Sequence, residues 1–359
     1  MKKMKKTPLA LAALFALMGS ASVSVYAAAE PSGKDPLVSA MEHYQKELNK
    51  AERAAGYIGP RAYIPQEVKV ADGVYTVVGS MIWHNPTNYG LNNNLSFIEF
   101  ADGVLVYNAG ANPALAKAFH DVIKKYTKKP VKWVVVENHQ GHAHLGASYW
   151  YDMGVRNFYS QKRAHEDFAN HWDEIKGRWS KAVGYELTAP AYDISDKFTT
   201  FEDKLEIDVG GGEKVTLIYN GPGHTPGATI MYVPSRNVMF PGDLAYNSRM
   251  LALFNYTNTL EWVKTFERFM QITPEGTIIV PGHGGVTDMA TVKRDTYDYL
   301  KWLQAQVQKV IDNGGTEVDA ENIDQSQFKH REVFEQTHRG NARHIYRELK
   351  GLPVGGIVD

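Results

Sequence analysis

The sequence predicts an α/β protein with the architecture of a four-layer αββα sandwich and with added helices at both ends. In each half of the chain, short β-rich segments lead into a loop with a polar residue and then into a helix. The chain has 359 residues, of which 43% are hydrophobic, so it is long enough for a large core. We therefore expect two sheets inside and helices outside.

The first half predicts a hairpin, a helix and a buried strand. Residues 95–100 and 104–107 flank an Asp-Gly turn, which is typical of a β-hairpin. A helix is expected over residues 114–126. The continuous apolar run at residues 131–136 predicts a buried strand, which leads directly into the loop NHQGHAH at residues 138–144.

The second half repeats this order. Its predicted elements are a strand at 215–219, a hairpin at 228–233 and 238–240, a helix at 260–269 and a strand at 277–280. Apolar residues then recur at helical spacing over 291–311, and Gly314-Gly315 follow, so we expect one long helix there. His330, His338 and His344 stand among arginines and predict a solvated helix face.

The N-terminus predicts a secretory signal peptide. MKKMKK is a positive segment, residues 8–18 are apolar, and small residues suited to cleavage follow at Ala27. The predicted division is a signal peptide at 1–27, a helical arm at 28–65, the sandwich domain at 66–290 and a helical extension at 291–359. We expect a periplasmic or secreted protein with no stable membrane anchor after cleavage, since no second apolar run is long enough.

Composition excludes several classes of function. The chain has no cysteine, so it has neither disulfides nor a thiolate nucleophile or metal ligand. The formal net charge is -1 and no basic block stands out, which argues against a nucleic-acid partner. The expected partner is a small-molecule substrate, and no pattern defines the oligomeric state.

Polar residues follow several predicted strands. His139, His224, Asp243 and His283 each come at or just after a strand, beside or near glycine or proline. The carboxyl ends of strands meet at one edge of a sheet, so these side chains should converge. Imidazole and carboxylate without thiolate suit zinc or another first-row divalent metal.

The same motifs resemble those of the metallo-β-lactamase-fold superfamily. GHTPG at residues 223–227, Gly242-Asp243 and PGHG at residues 281–284 occur in the family's order, and the resemblance covers roughly residues 68–288. The first motif, His-x-His-x-Asp-His, departs from the family pattern. His139 matches its first histidine and His144 its last, but Gly141 and Ala143 replace the second histidine and the aspartate.

The resemblance implies a bound metal, and it leaves the ligand set open. Our hypothesis is a two-zinc site, with one ion or iron as alternatives. His139, His142 and His224 would bind one ion, and His144, Asp243 and His283 the other. An alternative register makes His142-Ala143-His144 the His-x-His pair. Asp243 and His142 are the predicted catalytic residues, and Asn108 replaces the family's usual supporting aspartate.

The resemblance also implies hydrolysis, by attack of metal-bound hydroxide on a carbonyl. The leading hypothesis is β-lactamase-type ring opening by an exported zinc enzyme. The alternatives are a lactone, ester or sulfate-ester hydrolase, a non-catalytic metal-binding or ligand-binding protein, and a mononuclear iron oxygenase. The candidate substrate contacts are Trp83, Tyr89, Tyr246 and Asn247.

Overall fold

A computed structural model describes residues 62–354 of the chain. The predicted signal peptide and nearly all of the predicted N-terminal arm lie outside the described residues. Within residues 62–354, no helix combines the length and the apolar character that a membrane crossing needs.

The first sheet has seven strands in sequence order. They are β1 (Val68–Ala71), β2 (Val74–Val77), β3 (Leu95–Glu99), β4 (Val104–Tyr107), β5 (Val131–Val135), β6 (Asn157–Gln161) and β7 (Phe198–Phe201). Strands β1 to β4 are antiparallel, and β4 to β7 are parallel. The predicted hairpin is β3–β4, and the apolar run before the histidine loop is β5.

The second sheet has five strands in the order β12-β11-β10-β9-β8. They are β8 (Lys204–Gly210), β9 (Glu213–Ile218), β10 (Ile230–Val233), β11 (Val238–Tyr246) and β12 (Ile278–His283). Only β11 and β12 pair in parallel. Both of these strands extend beyond the predicted segments, far enough to include Asp243 and His283 themselves.

Helices cover the outer face of each sheet. The helices that follow strands of the first sheet are α1 (Pro113–Tyr126), α2 (Gly141–His144), α3 (Ala147–Asp152), α4 (Lys162–Asn170), α5 (Trp172–Val183) and α6 (Tyr185–Thr188). The later helices are α7 (Thr259–Ile272), α8 (Met289–Val292), α9 (Tyr299–Asp312), α10 (Glu317–Glu321) and α11 (Phe334–Leu349). Short 3-10 turns lie at Pro86–Asn88, Ser195–Lys197, Pro234–Arg236 and Ser326–Phe328.

The hydrophobic core has three parts, which give the four-layer sandwich that the sequence predicts. Ile98 of β3 and Phe240 of β11 belong to the part between the sheets. Phe97, on the opposite face of β3, packs with Phe119 of α1 on the outer side. The outer face of the second sheet packs against α7, α9 and α11. The fold prediction is therefore confirmed.

In the C-terminal region, one prediction is confirmed with a modification and one is wrong. The chain is helical over 289–312, as expected, but a π-helical segment at Lys293–Asp298 separates α8 from α9. His344 is not solvated; it is fully buried in α11 and its Nε2 lies 3.1 Å from the Thr257 carbonyl oxygen. Arg331 is also buried, and it forms an ion pair with Asp295 of the π-helical segment.

Candidate metal centre

The three histidines of the loop after β5 point in different directions. The Nε2 atom of His142 lies 3.5 Å from Glu137 Oε1 and 3.6 Å from Asp243 Oδ2. The His139 ring packs edge-on against the Tyr256 ring at 4.7 Å. The His144 ring stacks on Phe168 of α4 at 3.9 Å. One histidine of the three therefore reaches the carboxylates.

Asp243 is the centre of the site, since two further histidines approach it. The Nε2 atom of His283, at the end of β12, lies 3.2 Å from Asp243 Oδ1. The Nε2 atom of His224, in the loop between β9 and β10, lies 3.5 Å from Asp243 Oδ2. Three imidazoles thus surround one carboxylate. The resemblance to the family implied that His139 and His144 are metal ligands. The structure places neither of them beside Asp243.

Glu137, directly after β5, is a second buried carboxylate at this centre. Its Oε2 accepts a hydrogen bond from the Asp243 backbone N–H at 2.5 Å, and its Oε1 accepts one from Asn108 Nδ2 at 2.8 Å. Asn108 Oδ1 in turn accepts a hydrogen bond from the Glu137 backbone N–H at 3.1 Å. Asn108 therefore holds Glu137 at both its backbone and its side chain.

Two glycines of the motifs make room for these carboxylates. A Cβ atom on Gly242 would overlap Glu137 Oε2, and one on Gly282 would overlap Asp243 Oδ1. Gly242 also has a φ of +57°, in the left-handed region that favours glycine. Glycine therefore precedes Asp243 and His283 because a larger residue at either position would collide with a carboxylate.

Gly141 has a different neighbour, the indole of Trp179. A Cβ atom on Gly141 would lie 2.5 Å from Trp179 Nε1. The indole is buried and stacks on the His84 ring at 4.0 Å. The space beside the position where the family carries its second histidine is therefore filled by Trp179.

In the described structure, the two carboxylates at the centre have no lysine or arginine partner. Glu137 and Asp243 are buried, and within residues 62–354 no lysine or arginine forms an ion pair with either one. Burial lowers the pKa of His224 to about 3 and holds the pKa of His283 well below its usual value, so both imidazoles are neutral at pH 7. Two buried carboxyl groups in such surroundings suit a bound cation.

The ligand atoms fit a divalent metal. Asp243 Oδ1 is buried and accepts no hydrogen bond. Nitrogen and oxygen ligands of one tetrahedral zinc lie roughly 3.3–3.5 Å apart. The separations of 3.2–3.6 Å between the imidazole nitrogens and Asp243 are close to this value. The site therefore suits a metal bound by imidazole and carboxylate.

A narrow cleft opens onto this centre. Its walls are largely aromatic, and its lining includes Trp83, Tyr246, Trp179 and Phe254. The Tyr246 ring lies 4.8 Å from the His283 ring. Two of the four predicted substrate contacts, Trp83 and Tyr246, therefore line the cleft beside the metal ligands.

The other two predicted substrate contacts lie elsewhere. The Tyr89 ring approaches Tyr63 at 6.3 Å, away from the cleft lining. Asn247 stabilises the loop after β11, because its Nδ2 donates a hydrogen bond to the Gly285 carbonyl oxygen at 3.0 Å. The structure thus gives Asn247 a local structural contact and does not place either residue in the cleft.

Arg249 is a buried cation in the same cleft. Its side chain lies between the Trp83 and Tyr246 rings, with the guanidinium carbon 5.1 Å and 5.9 Å from their centroids. Its Nε donates a hydrogen bond to the Met81 carbonyl oxygen at 2.8 Å, whereas its buried Nη2 has no hydrogen-bond partner. Among the described residues, no carboxylate forms an ion pair with it. A buried guanidinium with an unused N–H group suits an anionic ligand.

Sequence reasoning missed Glu137, Trp179 and Arg249. Glu137 carried a usable signal, since an acidic residue directly after a continuous apolar strand is unusual. The positions of Trp179 and Arg249 depend on contacts between distant segments, which no local pattern reports.

The fold and centre define an α/β protein with a candidate metal site at the edge of its two sheets. The family model described as the metallo-beta-lactamase superfamily matches residues 88–283. This match spans more than half of the chain, and the protein belongs to that superfamily.

Individual relatives are distant. The metallo-beta-lactamase type 2 of Bacteroides fragilis is 22% identical over 187 residues, which are 51% of this chain and 69% of that protein. The acyl-coenzyme A thioesterase MBLAC2 of Gallus gallus is 26% identical over 91 residues, so the match spans 25% of this chain and only 33% of the thioesterase. A solved metallo-beta-lactamase from Pontibacter korlensis superposes with a TM-score of 0.53 at 18% identity, covering 66% of this chain and 98% of that one. This structural likeness shows the shared fold.

Proposed function

We propose that the protein is a metal-dependent hydrolase of small carbonyl compounds that carry a carboxylate, with β-lactams as the leading substrate class and zinc as the leading metal. The observation that carries this proposal is the cleft itself. A metal centre built on Asp243 and an unpaired, buried Arg249 line the same narrow space. One group would act on the scissile bond and the other would hold the anionic end of the substrate.

The metal would be held at Asp243, the carboxylate that His142, His224 and His283 all approach. When bound there, a divalent ion lowers the pKa of a water ligand and polarises the carbonyl oxygen. The chain's own residues supply the remaining requirements. Gly282 and the β11–β12 pairing fix the position of the Asp243 carboxylate, and Asn138 Nδ2 lies 3.3 Å from Asp243 Oδ2.

Arg249 would orient the substrate. Its guanidinium is held by Met81 and by two aromatic faces, so little side-chain freedom is lost when a carboxylate binds. Asn92 also lines the cleft, and its buried Oδ1 has no hydrogen-bond partner. It would accept a hydrogen bond from an amide N–H of the substrate. Trp83 and Phe254, whose rings meet edge-on at 6.4 Å, would exclude bulk water.

Other hydrolytic substrates fit this cleft less well. An acyl-coenzyme A substrate carries several phosphate charges, whereas Arg249 is the one arginine or lysine that residues 62–354 contribute to the lining of this cleft. Lactones and simple esters need no cation at this position, and aryl sulfates offer no carbonyl. We therefore place compounds with both a carbonyl and a carboxylate ahead of these classes.

The test is a substrate panel on the metal-loaded protein before and after chelation. A chromogenic β-lactam, an aryl ester with and without a carboxylate, a lactone, a thioester and an aryl sulfate would be compared. We expect turnover that is lost with chelator, and a higher kcat/KM for the carboxylate-bearing ester than for its neutral analogue. A metal-loaded protein without turnover on the whole panel would favour the binding-protein alternative, and oxygen consumption with bound iron would favour the oxygenase.

We also propose that the protein acts outside the cytoplasm. The support is the sequence of its first 27 residues. N-terminal sequencing of the protein from fractionated cells tests this. A mature chain that begins at Ala28 in the periplasmic or secreted fraction is expected, and an intact N-terminus in the cytoplasmic fraction would contradict it.

A further inference from the structure

We propose that Glu137 binds the metal directly, together with His142 and Asp243, and that His139 and His144 do not. This inference rests on the proposed function, because it assumes that the cleft holds the metal. It departs from the family pattern at three positions, because it adds Glu137 as a ligand and leaves out His139 and His144.

Three ligand atoms from separate segments converge at this point. Glu137 follows β5, His142 lies in α2, and Asp243 lies in β11. One ligand atom of each residue lies within 4.8 Å of the other two, and all three residues are buried. Within the described part of the chain, this is the one group of three or more histidine, aspartate or glutamate side chains that meets this distance.

Glu137 retains one unused acceptor position. A carboxylate offers about four lone-pair positions. The Asp243 N–H and Asn108 Nδ2 occupy two of them, and Asn93 Nδ2, at 3.4 Å from Oε1, approaches a third. The fourth position belongs to Oε2, which has the Asp243 N–H as its one donor, and Oε1 lies 3.5 Å from His142 Nε2. Glu137 is thus fixed by three hydrogen-bond donors and keeps one acceptor position for a metal.

His144 is held away from the centre by packing. Its ring stacks on Phe168 at 3.9 Å with an interplanar angle of 15°, and Phe198 covers it at 5.4 Å. It is 1% exposed, so a change of rotamer would have to displace this aromatic cluster.

His139 is separated from the centre by its neighbour Gln140. The Gln140 Oε1 atom lies 3.3 Å from His224 Nε2, and its Nε2 donates a hydrogen bond to the Tyr256 hydroxyl at 2.7 Å. The His139 ring lies against the ring of the same tyrosine, at 4.7 Å. Gln140 therefore occupies the position beside His224 that a second histidine of the loop would need.

The proposed ligand set changes the chemistry of the centre. With His224 and His283, which also approach Asp243, the set contains two carboxylates, Glu137 and Asp243, and three imidazoles. The two-metal hypothesis from the sequence contained five imidazoles and one carboxylate. A larger share of oxygen ligands favours harder ions, so manganese and iron should bind more competitively with zinc.

Matched substitutions in one loop test the proposal. The affinity for cobalt(II) would be measured by competition with a chromophoric chelator for the wild type and for H139Q, H142Q, H144Q and E137Q. We expect H142Q and E137Q to raise the Kd by more than about 100-fold, which is the upper range for residues that only support a ligand. H139Q and H144Q should remain within about threefold of the wild type, and circular dichroism would check that each variant is folded.

Each result decides the proposal. A large loss of affinity in H139Q or H144Q, or wild-type affinity in E137Q, would overturn it. Should E137Q fail to fold, X-ray absorption on the cobalt-loaded wild type gives a second measurement: the imidazoles per metal multiplied by the metals per chain should equal three, and five would overturn it. A wild-type chain that binds no metal would overturn this inference and the proposed function together. Tight binding through these ligands without hydrolysis would overturn the proposed function alone.

Discussion

At the scale of single residues, the departures of the histidine loop from the family pattern have packing causes. Gly141 lies against the indole of Trp179, and any side chain at this position would collide with it. Ala143 is fully buried, and its carbonyl oxygen accepts a hydrogen bond from the Ala109 backbone N–H at 2.9 Å. The loop is thus a tightly packed helical turn in which His142 alone faces the carboxylates.

Substitution of Gly141 by alanine tests this packing. The added methyl group would meet the Trp179 indole at 2.5 Å, so we expect G141A to lower the free energy of unfolding by about 1–3 kcal/mol. Gly177, in the same helix as Trp179, has open space where an added Cβ would lie, with no atom within 4 Å, and is the matched control. There, alanine should stabilise the protein by about 0.5–1 kcal/mol. Urea unfolding at pH 7 measures both changes, and the same change in both variants would contradict the packing argument.

Substitution of Arg249 by methionine tests its role in substrate orientation. Methionine keeps the apolar contact with Trp83 and Tyr246 but removes the charge. We expect KM for a carboxylate-bearing substrate to rise by about 10–100-fold, because a charged hydrogen bond contributes about 1.5–3 kcal/mol. The KM for the neutral analogue should change little. Steady-state kinetics on the two analogues give the answer, and a parallel rise for both would assign Arg249 a structural role only.

Polar residues beside glycine or proline, in or after the strands, were the predictable part of the site. The structure brings His224 and His283 to Asp243 as expected. The direction of side chains within the histidine loop was not predictable, because Phe168 and Trp179, from helices later in the chain, determine it. His344 was misjudged for a similar reason, since its surroundings come from the distant Thr257 segment.

At the scale of elements, the π-helical segment Lys293–Asp298 supports the loop after β11. Thr296 Oγ1 accepts a hydrogen bond from the Tyr246 backbone N–H at 2.8 Å. Asp295 Oδ2 accepts one from the Ser248 backbone N–H at 2.9 Å. π-Helical turns are often found near functional sites. Here the segment fixes the loop that carries Arg249 into the cleft.

The Asp295–Arg331 ion pair makes this support testable. Both side chains are nearly fully buried, 4% and 3% exposed, so D295A leaves Arg331 without its counter-ion. We expect a loss of about 3–5 kcal/mol in the free energy of unfolding. D298A, which removes an exposed pair with Lys293, should cost less than about 1 kcal/mol. Guanidinium unfolding of both variants measures the difference. Similar losses of unfolding free energy would show that the buried pair stabilises the protein no more than the exposed pair does.

The interruption of the predicted helix shows a limit of periodicity. Apolar residues at 300, 303 and 307 follow helical spacing in α9, as the sequence indicated. One widened turn before them leaves the apolar pattern recognisable, so the pattern alone does not reveal it. The backbone adopts the wider turn because Asp295 and Thr296 must both reach the loop at residues 246–248.

At the scale of the whole molecule, buried neutral histidines predict acid sensitivity. Burial lowers the pKa of His120 and of His344 to about 4, from an ordinary value near 6.5. The unfolded chain therefore takes up protons before the folded one as the pH falls below 6.5. Stability from these groups should be complete above pH 6.5 and should be lost between pH 6.5 and 4.

The variant H344Q isolates one such group, because its amide can still donate to the Thr257 carbonyl oxygen. Unfolding free energies from urea titrations between pH 4 and 7.5, with chelator present, should fall less steeply with acid in H344Q than in the wild type. An unchanged slope would mean that His344 does not contribute to the acid sensitivity.

The whole-molecule architecture was the most predictable level. Two repeats of strands, loop and helix indicated two sheets with outer helices, and the structure has seven and five strands in that arrangement. The region between β6 and β8 carries no comparable signal, because short strands and helices with mixed burial alternate there. Its placement depends on packing against the histidine loop rather than on local pattern.

One pairing near the C-terminus has a consequence for how the protein is made. The backbone of Glu332 pairs with Arg249, and its carbonyl oxygen accepts a hydrogen bond from the Met250 N–H at 3.1 Å. During translation, every candidate metal ligand leaves the ribosome before residue 332 does. A nascent chain can therefore bring these side chains together before the backbone contact between Arg249 and Glu332 can form.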